Sequence, residues 1–274
     1  MPRRMSRLVP IQSHGGHRVT RRVVLWGIVR MGASGDGSMD TAARKAPGDT
    51  REAQVPERYV SAQQARGIYD RIGRWQDTRP LSERRALDAL VERAAFERAG
   101  AVLEFGCGTG RLAARLLAGH LPAGARYLGL DVSPKMVRLA RATVAPWGDR
   151  ARVELTGGQM VIPAGEGSHD RFVSAYVLDL LSPDDTARLL DEAHRVLRPG
   201  GLLALASLTP GQTAAARALT RAWRAVWSLD PALLGGCRPV ALAPQLAPGR
   251  WAVRARLTVT DLMLASEVVV AERL

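Results

Sequence analysis

Three glycines at alternate positions constrain this chain more than any other feature. They lie in Ala101-Val102-Leu103-Glu104-Phe105-Gly106-Cys107-Gly108-Thr109-Gly110-Arg111-Leu112. The short apolar run that carries Glu104 predicts a buried strand, the glycines predict a turn, and the residues from Arg111 resume at helical period. Strand, glycine turn and helix together form a unit that binds a ligand against the backbone. Glycines remove the side chains that would block that approach, and the free N–H groups of the new helix are expected to give it a polar, weakly positive wall.

Strands and helices alternate outward from this unit. Two helices precede it, the second over Ser82–Ala99 with Leu87, Leu90, Val91, Ala94 and Ala95 on its apolar face. Arg126–Val132 reads as a second strand ending in an acid, and Ser133-Pro134 starts a helix to about Val144. Ala151–Leu155 and Arg171–Tyr176 are the third and fourth strands. Pro183 opens a helix whose face is Ala187, Leu190, Ala193, His194 and Leu197, and Arg198-Pro199-Gly200-Gly201 ends it before a fifth strand, Leu202–Leu208. A last helix, Thr213–Leu229, precedes two strand-like runs, Trp251–Thr260 and Glu267–Ala271, close enough to pair antiparallel. The expected fold is α/β: a doubly wound, mostly parallel sheet of seven strands with N-terminal helices.

Formal net charge is +13 over 274 residues, and its distribution matters more than its size. Residues 1–30 hold seven arginines and no acid. Residues 1–55 have little periodicity and are expected to be a disordered basic leader, or the product of a start site assigned too far upstream, with the domain proper at 56–274. Cys107 and Cys237 make neither a disulfide framework nor a metal cluster, which fits a reducing cytoplasm. The leader's longest apolar run, Val23–Val29, is far too short to span a bilayer.

The glycine loop admits two cofactors. Gly108-Thr109-Gly110-Arg111-Leu112-Ala113 with Asp131 downstream satisfies a dinucleotide pattern, which would imply a nicotinamide or flavin binder. The longer pattern is Glu104-x-Gly106-x-Gly108-x-Gly110, then Gly129-Leu130-Asp131-Val132-Ser133, then Arg198-Pro199-Gly200-Gly201. In this the sequence resembles the class I S-adenosylmethionine-dependent methyltransferases, over roughly residues 60–208. The resemblance implies S-adenosylmethionine as cofactor, a non-catalytic cofactor-binding partner subunit being a further reading.

By that resemblance Glu104, Gly106, Cys107, Gly108 and Gly110 form the cofactor loop, and Glu104 is tolerable beside a sulfonium and an ammonium. Asp131 would accept hydrogens from both ribose hydroxyls, or cap the helix that follows it. Val132 would lie against adenine, or simply pack in the core. Relatives often place an acid after the third strand to read the adenine amino group. Here Gly157-Gly158-Gln159 has none, so Gln159 or the backbone must serve. Tyr69 resembles an aromatic residue that lies over the cofactor in small-molecule branches of the family, or it packs its own helix.

Tyr176 and Asp179, after the fourth strand, face the crevice at the carboxyl ends of parallel strands and are the candidates to remove a proton. Each also has a structural reading, packing for Tyr176 and a turn cap for Asp179. No histidine is well placed as a base, and alignment of a nucleophile with the methyl group can suffice. The expected acceptor is a small molecule or lipid. Helix 213–229, with Leu219, Trp223, Val226 and Trp227 opposite Arg217, Arg221 and Arg224, either contacts an anionic membrane peripherally or packs on the sheet with a solvated basic face. Nucleic acid is disfavoured, because no motif for a flipped base and no folded basic strip with aromatics occurs outside that helix.

Overall fold

In a computed structural model of the chain, the described residues are 59, 61, 63, 64, 66, 67, 70, 81–211, 214–229, 236–261 and 264–274. The leader expected over residues 1–55, and Tyr69, lie outside them. Seven strands form one sheet: β1 (Ala101–Phe105), β2 (Arg126–Asp131), β3 (Ala151–Leu155), β4 (His169–Ala175), β5 (Leu197–Thr209), β6 (Trp251–Asp261) and β7 (Leu264–Arg273). Their order is β3-β2-β1-β4-β5-β7-β6, with β7 inserted antiparallel between β5 and β6 and the pairs among β1–β5 parallel. The order reverses between β1 and β4, so the carboxyl ends of those two strands open a crevice.

The helices are α1 (Leu81–Arg93), α2 (Arg111–Gly119), α3 (Pro134–Val144), α4 (Pro183–Val196) and α5 (Ala214–Leu229). Successive strand residues point to opposite faces, and two cores result. On one face Val102, Val173, Val268 and Val270 meet Leu90 of α1, Leu116 of α2 and Val137 of α3. On the other, Leu103, Phe172, Leu205 and Val269 meet Leu189, Leu190 and Val196 of α4. Serine caps start both helices nearest the crevice: the Ser133 hydroxyl accepts the Met136 N–H and the Ser182 hydroxyl accepts the Asp185 N–H, each cap followed by proline.

Three elements differ from expectation. The helix before β1 ends at Arg93 rather than near Ala99, and Ala95 adopts φ 47°. The cause lies far along the chain: the buried guanidinium of Arg171 donates to the carbonyls of Ala94 and Ala95, both at 2.7 Å, and so takes up the carbonyls a longer helix would need. The buried side of α4 is Thr186, Leu189, Leu190, Ala193 and Val196, with Ala187 exposed, a face rotated slightly from the expected one. Finally, β5 starts at Leu197, which pairs with His169, so the Arg198–Gly201 turn is an irregularity within the strand rather than a stop before it.

In α5, Trp227 is buried and its indole N–H donates to the Gly236 carbonyl, while the Trp223 indole N–H donates to Cys237. Both indoles are therefore engaged by the chain itself, with Arg217 and Arg221 exposed. Among the described residues no helix is long and apolar enough to cross a membrane.

Candidate functional site

The glycine loop between β1 and α2 turns most of its N–H groups inward. Gly106 and Cys107 both donate to the Leu130 carbonyl, at 2.8 and 3.0 Å, Gly108 donates to Asp131 Oδ2 at 2.8 Å, and Gly110 donates to the Cys107 carbonyl at 3.0 Å. A phosphate at this loop would find four donors already committed. The polar wall expected from the N–H groups of the new helix therefore gains nothing from these four. Gly106 and Gly110 have further reasons to be glycine. Both have positive φ (80° and 79°), and a Cβ on them would come within 2.3 Å of Val177 Cγ2 and 3.0 Å of Ala140 Cα respectively.

Asp131 ends β2 beside this loop. Its Oδ1 accepts the Ser133 N–H at 2.9 Å while Oδ2 takes the Gly108 N–H, and each carboxylate oxygen keeps a lone pair for a ligand hydroxyl. The cap of α3 is Ser133, so Asp131 is not needed for that task. Burial raises the Asp131 pKa, with the N–H groups of Ser133, Gly108 and Val132 pulling it back and nearby Asp70 adding to the rise. The carboxylate opens into a cleft of about 910 Å³, counted to its open mouth, shared with Gly106, Gly108, Val132 and Tyr176. Its apolar walls come from Met136, Met160, Leu180 and Leu181, and among the described residues its charged lining is two acids, Asp131 and Asp185.

A second cleft, of about 1090 Å³ on the same count, lies across the loop and shares Gly106 and Ala175 with the first. Here the lining is zwitterionic, with Glu104 and Asp88 facing Arg84, Arg111 and Arg115. Glu104 is buried and accepts the Tyr127 hydroxyl hydrogen at 2.5 Å. Burial, then Glu104, push the Tyr127 pKa well up, so the phenol stays a donor. Arg115 pairs with Asp88 at 2.5 Å, and Arg84 and Arg111 line the same cleft. Cys107 lines this cleft too, but burial, then Glu104 and Asp131, push its thiol pKa well above the usual range and keep it a neutral wall rather than a nucleophile.

The structure thus brings Gly106, Gly108, Asp131, Val132 and Tyr176 to one cleft and Glu104, Gly106 and Cys107 to its neighbour. Three expected site residues stand elsewhere. Gly110 packs against α3 and lines neither cleft. Gln159 is exposed on the outer side of the loop after β3, beside Arg188 and Asp191 of α4. Asp179 is completely buried and lines neither cleft, and its main-chain carbonyl accepts the Arg238 N–H at 2.9 Å. Tyr176 has φ 59°, a left-handed conformation costly for a tyrosine, and its hydroxyl donates to Ser266 on β7 at 3.0 Å. Such strain at a cleft is held by its surroundings, here the Tyr176 N–H bond to the Ala206 carbonyl at 2.7 Å. The sequence reading missed Asp185, Met160, Tyr127 and Arg84 as site residues, although Met160 follows Gln159 directly and Tyr127 lies two residues before Gly129.

Residues 102–201 match a family described as "Methyltransferase domain". Over these residues the chain is a methyltransferase domain of the S-adenosylmethionine-dependent kind. A malonyl-[acyl-carrier protein] O-methyltransferase of Laribacter hongkongensis is 32% identical over 160 residues, 56% of this chain and 52% of that protein. A tRNA N(3)-methylcytidine methyltransferase, Mettl2 of Drosophila melanogaster, is 30% identical over 120 residues, 43% of this chain and 37% of that protein. The chain thus spans about half or less of the length of these curated relatives. Among solved structures, magnesium protoporphyrin IX methyltransferase (ChlM) of Synechocystis with bound SAH superposes with a TM-score of 0.60 at 16% identity, covering 78% of this chain and 99% of that one. The [4+2]-cyclase SpnF gives the same TM-score at 15% identity, covering 78% and 97%. At these identities the two structures establish the fold and no more.

The residues of the methyltransferase domain fit S-adenosylmethionine. A cofactor without phosphate needs no donors from the loop, and the loop has committed most of its own. A diol matches the open lone pairs of Asp131, and an amino acid zwitterion matches the second cleft, where a buried acid faces arginines.

Proposed function

We propose that this chain transfers the methyl group of S-adenosylmethionine to a small-molecule or lipid-like acceptor by direct displacement. The observation that carries the reading is the inward-turned loop flanked by two carboxylates, Glu104 and Asp131. A pyrophosphate would be repelled there, which disfavours the nicotinamide and flavin alternatives.

When bound, the cofactor supplies an electrophilic methyl carbon on a sulfonium: the acceptor's lone pair forms the new bond while the carbon–sulfur bond breaks and its electrons return to sulfur. The chain's residues hold and aim. Asp131 takes the ribose hydroxyls, Glu104 balances the ammonium with Tyr127 fixing its carboxylate, and Arg84 or Arg111 pairs with the carboxylate. Two acids close to the loop also favour a positive sulfonium over the neutral thioether it becomes, so the drive must come from positioning. Tyr176, at the end of β4, is the residue placed to meet an acceptor. Asp179, completely buried and outside the lining of the cleft, is the weaker of the two candidates to take a proton.

The test is incorporation of labelled methyl from S-adenosylmethionine across pools of lipids, quinones, small phenols, carrier-bound acyl acids and tRNA. Label in a small-molecule or lipid pool supports the acceptor class. Label in tRNA alone overturns it and leaves methyl transfer standing. Tyr176→Phe separates wall from proton acceptor: if the ring only packs, kcat and KM change less than about threefold, whereas a proton-removing hydroxyl costs on the order of a hundredfold in kcat with KM unmoved.

A further inference from the structure

The first cleft has the same chemistry at both ends. Asp131 stands at the β2 end, beside the glycine loop, and Asp185 stands on the first turn of α4. Between them the lining is side chains without charge, among them Val132, Met136, Met160 and Leu181. A slot of apolar walls suits a flat heteroaromatic ring, and a carboxylate at its end suits an N–H donor on that ring's edge.

Asp185 is held in place for such a contact. Its Oδ2 accepts the Ser182 hydroxyl hydrogen at 2.9 Å, its own N–H donates to that hydroxyl at 3.0 Å, and Arg188 reaches Oδ1 at 3.3 Å. These bonds leave the carboxylate lone pairs open. The opposite wall is fixed to the same helix. Glu192 accepts the Ile162 N–H at 2.8 Å, and Arg195 donates to the carbonyls of Ile162 and Ala164, at 2.9 and 2.7 Å. The loop after β3, which carries Met160, and α4, which carries Asp185, are therefore tied to each other. Gln159, the residue of that loop with an amide to offer, does not line the slot but an adjoining hollow that it shares with Asp185 and Arg188.

We propose that Asp185 reads the exocyclic amino group of the cofactor's adenine and makes this cleft selective for a 6-amino purine over a 6-oxo purine. This inference rests on the proposed S-adenosylmethionine reading. A carboxylate accepts from an amine, whereas a 6-oxo group would set oxygen against oxygen, so the preference has a repulsive as well as an attractive part. Loss of one charge-assisted hydrogen bond at a half-open site corresponds to about a tenfold change in affinity.

Calorimetric titration of the full chain with S-adenosylhomocysteine and with S-inosylhomocysteine, its 6-oxo counterpart, tests this. Wild type is expected to prefer the adenine ligand by about tenfold or more. Asp185→Asn, whose amide can donate to a 6-oxo group as readily as it accepts from an amine, and Asp185→Ala are expected to bring the two affinities within about threefold. The asparagine variant keeps an acceptor for the Ser182 hydroxyl and so carries the test if the alanine variant does not fold. Equal affinities in wild type, or an undiminished preference in the variants, overturn the role of Asp185 while leaving the methyl-donor reading intact. Failure of wild type to bind S-adenosylhomocysteine at all overturns the donor reading and this inference with it.

Discussion

Asp131 does two jobs at once, and they can be pulled apart. Its carboxylate satisfies two main-chain donors, Gly108 and Ser133, before any ligand arrives. Asp131→Ala should therefore cost stability in the ligand-free protein, about 1–3 kcal/mol for the donors left unpaired, as well as cofactor affinity, and a urea titration without ligand checks the first part. The pH dependence has a definite sign. Burial holds the folded pKa above that of an unfolded aspartate, so the native state takes up a proton as pH falls through the window between the two. Within that window ligand-free stability rises as pH falls. Affinity moves the other way, since ribose hydroxyls need the ionised acceptor, and S-adenosylhomocysteine should bind progressively more weakly as the carboxylate protonates. Calorimetry over pH should show this loss beginning at higher pH than for an ordinary aspartate, and Asp131→Asn should flatten it. Asp131 was legible because it lies one strand from the glycines. Tyr127, on the same strand, was not, because only the fold brings its hydroxyl to Glu104, and Asp185 and Arg84 were not, because each comes from a helix apart from the glycine loop.

Elements place the site by their ends, and the loop between β1 and α2 shows what fixes an end. A Cβ on Gly106 would strike Val177 after β4, so the glycine serves the close approach of two strand ends as much as any ligand. Gly106→Ala should cost about 1–2 kcal/mol for its backbone conformation and about 1–3 kcal/mol for the collision. Adding Val177→Ala should recover part of the collision cost and none of the backbone cost. Gly200→Ala is the control, with φ 75° and open space around it. Urea midpoints of the variants give the comparison, and a Gly106→Ala variant no less stable than Gly200→Ala would remove Val177 from the account. The same dependence on distant groups explains where helix boundaries escaped the sequence. Periodicity carried the pre-β1 helix to Ala99, and only the Arg171 guanidinium, on a strand that follows much later, stops it at Arg93. On α4, Leu189 and Val196 replace Ala187 and His194 on the buried side because the sheet decides which residues face it; His194 instead meets the Trp251 ring edge-on, with centroids 5.3 Å apart.

At the scale of the molecule, the reversal of strand order between β1 and β4 puts the candidate site on the seam of the sheet. The strand–helix alternation made this layout readable from the sequence, while the insertion of β7 between β5 and β6 was not, since a short link shows that two strands pair but not which of them meets β5. Residues from β1, β2, the loop after β3, the turn after β4 and α4 all line the first cleft, so one ligand ties together both halves of the sheet and a helix packed on it. Binding at such a seam stabilises the folded state as a whole, by about 2.7 kcal/mol when ligand is at a hundred times its Kd. For a domain of this size that corresponds to a rise of roughly 5–10 °C in Tm. A thermal melt with S-adenosylhomocysteine should show that rise and should grow with ligand concentration, whereas NADH at equal concentration should leave Tm unchanged because the loop's donors face inward. A shift with NADH and none with S-adenosylhomocysteine would mean that the loop can release those donors to a phosphate, and the methyl-donor reading would fail.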